Sequence, residues 1–198
     1  MIDLHTHILF GVDDGAADLD ESVAMVRRSV DDGITALVAT PHVRHPSFWN
    51  GDTDRLRARF DAVVEAVADA ELTVDLHFGG EIAVSSTSLD EIQQLPAGTL
   101  PRLGASRWLL LELDWHGIGP DPEELVHEVQ VVDHRPLIAH PERVRWLIAE
   151  PRRLAALVTA GARLQLTAQS VVGALGPEAE SAALDLIDRG LVHCVASD

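Results

Sequence analysis

Met1-Ile2-Asp3-Leu4-His5-Thr6-His7 opens the chain, Asp18-Leu19-Asp20-Glu21-Ser22-Val23 stands some ten residues on, and Ile34-Thr35-Ala36-Leu37-Val38-Ala39-Thr40 follows. The first and last of these are short runs rich in apolar and β-branched side chains, which read as strands. Between them Val23, Val26 and Val30 recur at helical spacing. Asp18 with Glu21 has the pattern of a capping box, and Gly33 stands where a left-handed residue would stop the helix. Strand, helix and strand in that order make a βαβ unit, the building block of a parallel sheet.

Working outward, the same alternation continues to the end of the chain, without an internal repeat or low-complexity stretch. Strands are expected near Met1–His7, Ile34–Thr40, Thr73–Gly79, Trp108–Leu113, Pro136–Ala139, Arg163–Thr167 and Leu191–Ala196. A second helix shows Leu56, Phe60, Val63 and Val67 on one face, and a third begins Asp121-Pro122-Glu123-Glu124 with an N-cap, proline at the first helical position and acids at the positive end of the dipole. Pro151 to Gly161 and Pro177 to Gly190 repeat the pattern of proline in and glycine out. From Ile82 to Arg107 the pattern weakens, and a long loop with one helical turn is expected there. Seven strands point to a barrel, although an open sheet satisfies the same count.

Composition sets outer bounds. The 198 residues are 46% hydrophobic and 24% charged, which describes one ordinary globular domain. The net charge is −17, and all 15 basic residues are arginine, so a nucleic-acid backbone binder is disfavoured. No apolar run approaches the length of a membrane span, and the N-terminus lacks the features of a signal peptide, so no membrane insertion is expected and the cytoplasm is the default location. Cys194 is the single cysteine, so no internal disulfide forms. It lies in an apolar run with no arginine in the four residues that follow it here, which argues against a cysteine-based phosphatase and for a small core residue. No glycine-rich nucleotide loop is present. No heptad or self-pairing surface can be read, and oligomeric state stays open.

Ten histidines in an acidic chain suggest a divalent metal, since imidazole and carboxylate are its nitrogen and oxygen ligands. Their placement strengthens the suggestion, because parallel α/β barrels carry their reactive groups at the C-terminal ends of the strands. Here those ends read His5-Thr6-His7, Thr40-Pro41-His42, Gly80-Glu81, Glu112-Leu113-Asp114, Ala139-His140-Pro141 and Ser197-Asp198. His5 and His7 are two apart and share a strand face, with Asp3 on the same face. Gly11 and Gly15 would let the turn between them fold Asp14 over the mouth. Glu112 and Asp114 compete for one face, with Glu112 preferred. His45, His77, His116, His127, His134 and His193 are read as loop, surface or mid-strand residues. Trp49, Trp108, Trp115 and Trp146 are read as packing residues, though Trp49 and Trp115 fall in loops that could wall a pocket.

Ile2-Asp3-Leu4-His5-Thr6-His7, Gly11-Val12-Asp13-Asp14-Gly15, Ala39-Thr40-Pro41-His42, Gly80-Glu81, Leu137-Ile138-Ala139-His140-Pro141-Glu142-Arg143 and Ala196-Ser197-Asp198 together resemble the polymerase and histidinol phosphatase (PHP) superfamily. Within it they resemble the bacterial manganese-dependent protein-tyrosine phosphatases of capsule and exopolysaccharide synthesis. The resemblance implies an α/β fold, a distorted (β/α)7 TIM-like barrel of the PHP type. On that pattern residues 1–198 form one barrel domain lacking its C-terminal end, since the family motif continues past the aspartate to a further histidine.

Two or three divalent ions are implied, manganese foremost, with iron or zinc as other choices. By matched position the implied ligands are His5, His7, Asp14, His42, Glu81, Glu112, His140 and Asp198, and Arg143 is implied to contact the substrate phosphate. The implied reaction is hydrolysis of protein phosphotyrosine by a metal-activated water, with Arg143 and His140 in catalytic parts and a tyrosine autokinase as the protein partner. A histidinol-phosphatase-like enzyme for a small metabolite, and a non-catalytic metal-binding regulatory module, are the competing readings. Phe10 stands where the family usually has proline.

Overall fold

The computed structural model describes residues 1–84 and 100–198. It is a mixed α/β structure with parallel sheets, and its described residues fall into two compact units: residues 1–82 with 100–106 and Asp198, and residues 83–84 with 107–197.

In the first unit, β1 (Ile2–Thr6), β2 (Ala36–Ala39) and β4 (Asp75–Phe78) form a parallel sheet in the order β1-β2-β4. Two short strands, β3 (His42–Val43) and β5 (Glu81–Val84), pair in parallel with His42 opposite Glu81 and Val43 opposite Ile82. The helices are α1 (Leu19–Asp31) and α2 (Thr53–Asp69). The Asp18 carboxylate caps α1 by accepting from Glu21 N at 2.9 Å. Glu21 reaches back to Ala17 N rather than to Asp18 N, so the box closes one residue early. Val26 is buried as expected, beside Ser22, whereas Val23 and Val30 are only half-buried. Asp52 caps α2, whose buried face is Leu56, Val63 and Val67, with Phe60 half-buried against Phe78.

A short further strand follows each of two expected ones, so seven runs become nine segments among the described residues. The run from Ile34 stops at Ala39, because Pro41 has no N–H to give a ladder. The run from Thr73 stops at Phe78, ahead of Gly79 and Gly80, and a Cβ at Gly80 would stand 2.5 Å from Pro101 Cγ. His42 and Glu81, expected to finish strands, therefore begin new ones, and this places them side by side.

In the second unit, β6 (Trp108–Leu113), β7 (Arg135–Ala139), β8 (Arg163–Thr167) and β9 (Cys194–Ala196) are parallel neighbours in chain order. Between them run α3 (Pro122–Val131), a 3₁₀ turn at Pro141–Arg143, α4 (Arg145–Ile148), α5 (Pro151–Thr159), α6 (Ala168–Val171) and α7 (Pro177–Asp188). Leu109, Leu110, Leu111, Ile138, Leu164 and Leu166 are fully buried, the continuous apolar pattern of strands covered on both faces. Asp121 caps α3 as expected, accepting from Glu123 N and Glu124 N. Cys194, read as a core residue, is only half-buried, on a strand that among the described residues pairs with β8 alone. The expected loop between Ile82 and Arg107 begins later than drawn, since β5 runs to Val84, and residues 85–99 lie outside the described residues. Among the described residues no helix is long and apolar enough to cross a membrane.

Candidate metal centre

β1 carries His5 to its C-terminal end, and His7 follows just beyond it with its ring on the same side, 5.2 Å from that of His5. Their Nε2 atoms converge to 3.1 Å. Glu81 Oε2 lies 3.3 Å from His5 Nε2, 3.4 Å from His7 Nε2 and 3.0 Å from His42 Nδ1. Asp198 Oδ1 lies 3.2 Å and 3.4 Å from the two Nε2 atoms, held there in part by its own N–H donating to His5 O. Asp14 completes the group from the rim, 3.5 Å from His42 Nε2 and mostly exposed. His5 and Glu81 are wholly buried and His7 and His42 nearly so.

These separations match those between ligands around one or more cations. Donors about 2.1 Å from an ion stand about 3.0 Å apart on an octahedron and about 3.4 Å apart on a tetrahedron. Two imidazole nitrogens at 3.1 Å with carboxylate oxygens around them are a mixed N and O donor set, suited to manganese, iron or zinc. His5-His7-Asp198 and His7-Asp14-His42 each form a compact donor group. Six of the eight residues singled out in the sequence thus meet in the first unit.

Burial pushes the His7 imidazole down, but hydrogen bonds to Asp13, Asp198 and Glu81 outweigh it and hold the ring well above its usual range. His5 is likewise pushed down by burial and raised overall by Glu81 and Asp198. The field that attracts protons to these rings is the field a cation would feel.

Sequence reasoning missed the support around these donors. Asp13, read as a turn residue beside Asp14, buries its carboxylate and accepts from His7 Nδ1 at 3.0 Å, His42 N at 2.9 Å and Gly15 N at 3.1 Å. Burial raises its carboxyl, and the His7 contact with these N–H donors more than reverses that, so its pKa is lowered. With Nδ1 donating to Asp13, the His7 lone pair sits on Nε2, facing the other donors. Gly15 must be glycine, since a Cβ would fall 2.0 Å from His7 O. Asn50, at φ +37°, donates from Nδ2 to both Val12 O and His42 O. His45, read as an ordinary loop residue, lies tilted 4.6 Å from the His42 ring, with Phe48 stacked against both. Asp3 is buried and accepts from His5 N.

In the second unit, Glu112 and His140 are both buried at the C-terminal ends of β6 and β7. Trp115 links them: its Nε1–H donates to Glu112 Oε1 at 3.0 Å, and its ring stands 5.9 Å from that of His140. Asp114, the competitor to Glu112, spends its carboxylate on the N–H groups of His116 and Ile118 and so shapes the loop. His140 has φ +30°, which swings the chain into the turn that carries Arg143, whose Cζ lies 4.8 Å over the Trp115 ring. Glu142 is buried behind this turn and accepts from Thr167 N at 2.9 Å, and burial pushes its carboxyl up.

A parallel α/β protein with clustered histidines and carboxylates at its strand ends belongs to the class of candidate metal-dependent enzymes. The family model described as "Capsular polysaccharide synthesis, CpsB/CapC" matches residues 1–198, and the chain belongs to that family. It is 33% identical over 199 residues to the tyrosine-protein phosphatase YwqE of Bacillus subtilis, covering all of this chain and 76% of that one. It is 30% identical over 198 residues to the putative tyrosine-protein phosphatase CapC of Staphylococcus aureus, with the same coverage. Among solved structures, one described as YwqE from Bacillus subtilis and CpsB from Streptococcus pneumoniae, unique metal-dependent tyrosine phosphatases, superposes with TM-score 0.89 at 31% identity, covering 100% of this chain and 78% of that one. The resemblance read from the motifs is thereby borne out at the level of the family.

Proposed function

We propose that this protein is a metal-dependent phosphatase of protein phosphotyrosine, acting on a tyrosine autokinase of capsule or exopolysaccharide synthesis, on a distorted seven-stranded PHP-type barrel. The observation that carries the reading is the convergence of His5, His7, Glu81 and Asp198 donors at 3.1–3.4 Å. Family membership and the named activities of its relatives support the substrate class.

In this reading His5, His7, Asp14, His42, Glu81 and Asp198 hold divalent ions, manganese foremost, and Glu112 and His140 supply further ligands. When bound, such ions would polarise phosphoryl oxygens and lower the pKa of a bound water toward neutrality. Arg143 grips the non-bridging oxygens with its planar fork, fixing the phosphate for in-line attack. Glu142, anchored on Thr167 N, holds the turn from which Arg143 projects. His140 acts as ligand or as proton donor to the leaving oxygen. Asp13 keeps the His7 proton on Nδ1.

The test couples metal analysis of gently purified protein to parallel assays on a phosphotyrosine peptide and histidinol phosphate. Bound manganese, iron or zinc with a strong preference for the peptide is the expected result. Metal-free protein, or preference for histidinol phosphate, would overturn the reading. Arg143→Ala should lower peptide turnover by roughly 10²–10³, and an unchanged rate would remove Arg143 from the mechanism.

A further inference from the structure

We infer that Trp115 sets where the Arg143 guanidinium stands and is a positioning residue for the phosphate contact. The inference rests on the role given to Arg143 above.

Trp115 stays 40% exposed, and its loop is fixed from several directions. The Asp114 carboxylate accepts from His116 N and Ile118 N, both at 2.8 Å, which folds residues 114–118 into a tight turn. The Trp146 indole donates to Asp114 O at 2.9 Å, and its ring packs 3.5 Å from where a Cβ on Gly117 would stand. The Trp115 indole is then pinned at its own N–H by Glu112 Oε1 at 3.0 Å. A plane held at both its loop and its N–H is a rigid platform, and the Arg143 Cζ lies over it at 4.8 Å.

This matters because an arginine is long and carries much rotamer freedom. A half-buried guanidinium left to itself samples many positions, and only some present the fork to a phosphate. The negative face of an indole selects those that lie over it. The 3₁₀ turn fixes the Arg143 backbone, and Trp115 fixes the far end of the side chain. The indole N–H bond to Glu112 ties this platform to the end of β6.

The test is a double-mutant cycle read by calorimetric binding of inorganic phosphate to the metal-loaded protein. Metal content and circular dichroism are recorded for each variant. Trp115→Ala should weaken phosphate binding about tenfold. In the Arg143→Ala background the same change should add nothing. Trp115→Phe, which keeps a ring under the guanidinium and loses the N–H, should stay within about threefold of wild type. Should Trp115→Ala lose fold or metal, Trp115→Leu carries the cycle, keeping apolar bulk without a π-face. The inference is overturned by wild-type binding in Trp115→Ala or Leu, by an additive double variant, or by Trp115→Phe falling as far as Trp115→Ala. Silence of Arg143→Ala is a different result, which overturns the role of Arg143 and that of Trp115 with it.

Discussion

At Asp13 and Asp14, two identical adjacent side chains have opposite environments. Asp14 is mostly exposed on the rim of the donor cluster, while Asp13 is buried and receives His7 Nδ1, His42 N and Gly15 N. Asp13→Ala should lower metal affinity about 10–100-fold, because the His7 ring loses both its orientation and its fixed tautomer. Titration of stripped protein with manganese checks this, and wild-type affinity would dismiss the role. The pair also marks a limit of sequence reading. His5 and His7 were legible because strand alternation dictates a shared face. Which of two neighbouring aspartates turns inward depends on the path of the turn, and that path is set by contacts to His7 O and His42 N that lie outside any local pattern. Trp115 was legible only as a packing residue on a loop that could wall a pocket, since the cation over its ring comes from another loop.

At the scale of elements, helix ends were the most legible feature: Asp18 and Asp121, read as caps in the sequence, accept backbone N–H groups in the first turn of a helix, and the structure adds Asp52 in the same part. Capping is a local contest that residue type decides. Strand continuity was less legible. The runs at Ile34 and Thr73 end within one residue of where they were read, but the short strands that follow at His42 and Glu81 were not read, and the breaks between come from Pro41 and from the close approach of Pro101 to Gly80. Those breaks are what bring His42 and Glu81 into register. The turn after β1 depends on a similar close approach. Gly15→Ala should destabilise the protein by about 1–3 kcal/mol through overpacking against His7 O, and should weaken metal retention by displacing the His7 ring. Urea denaturation and metal analysis test the two effects, and a variant matching wild type in both would refute the account.

Over the whole molecule, 32 acidic residues against 15 arginines make an environment that favours cations, and composition alone made that legible. What composition could not give is where protons and metal compete. In metal-free protein the folded-state pKa of His5 and His7 is raised, so both favour the fold below their ordinary value near 6.5 and lose that contribution as pH rises through the raised values. Asp13 is depressed, so its contribution is present above the ordinary carboxylate value and is lost only in acid, as pH falls through its folded pKa. Above the ordinary imidazole value, protons held on these two histidines therefore compete with a cation. A cation needs both rings neutral, so each proton it displaces costs about 1.4 kcal/mol for every pH unit below the folded pKa. The thermal stabilisation given by a fixed excess of manganese over chelator-treated protein should thus be small at pH 6 and grow toward pH 8. Melting curves with manganese and with chelator at the two pH values measure it. A gain that is flat, or larger at pH 6, would mean that His5 and His7 do not bind the ion.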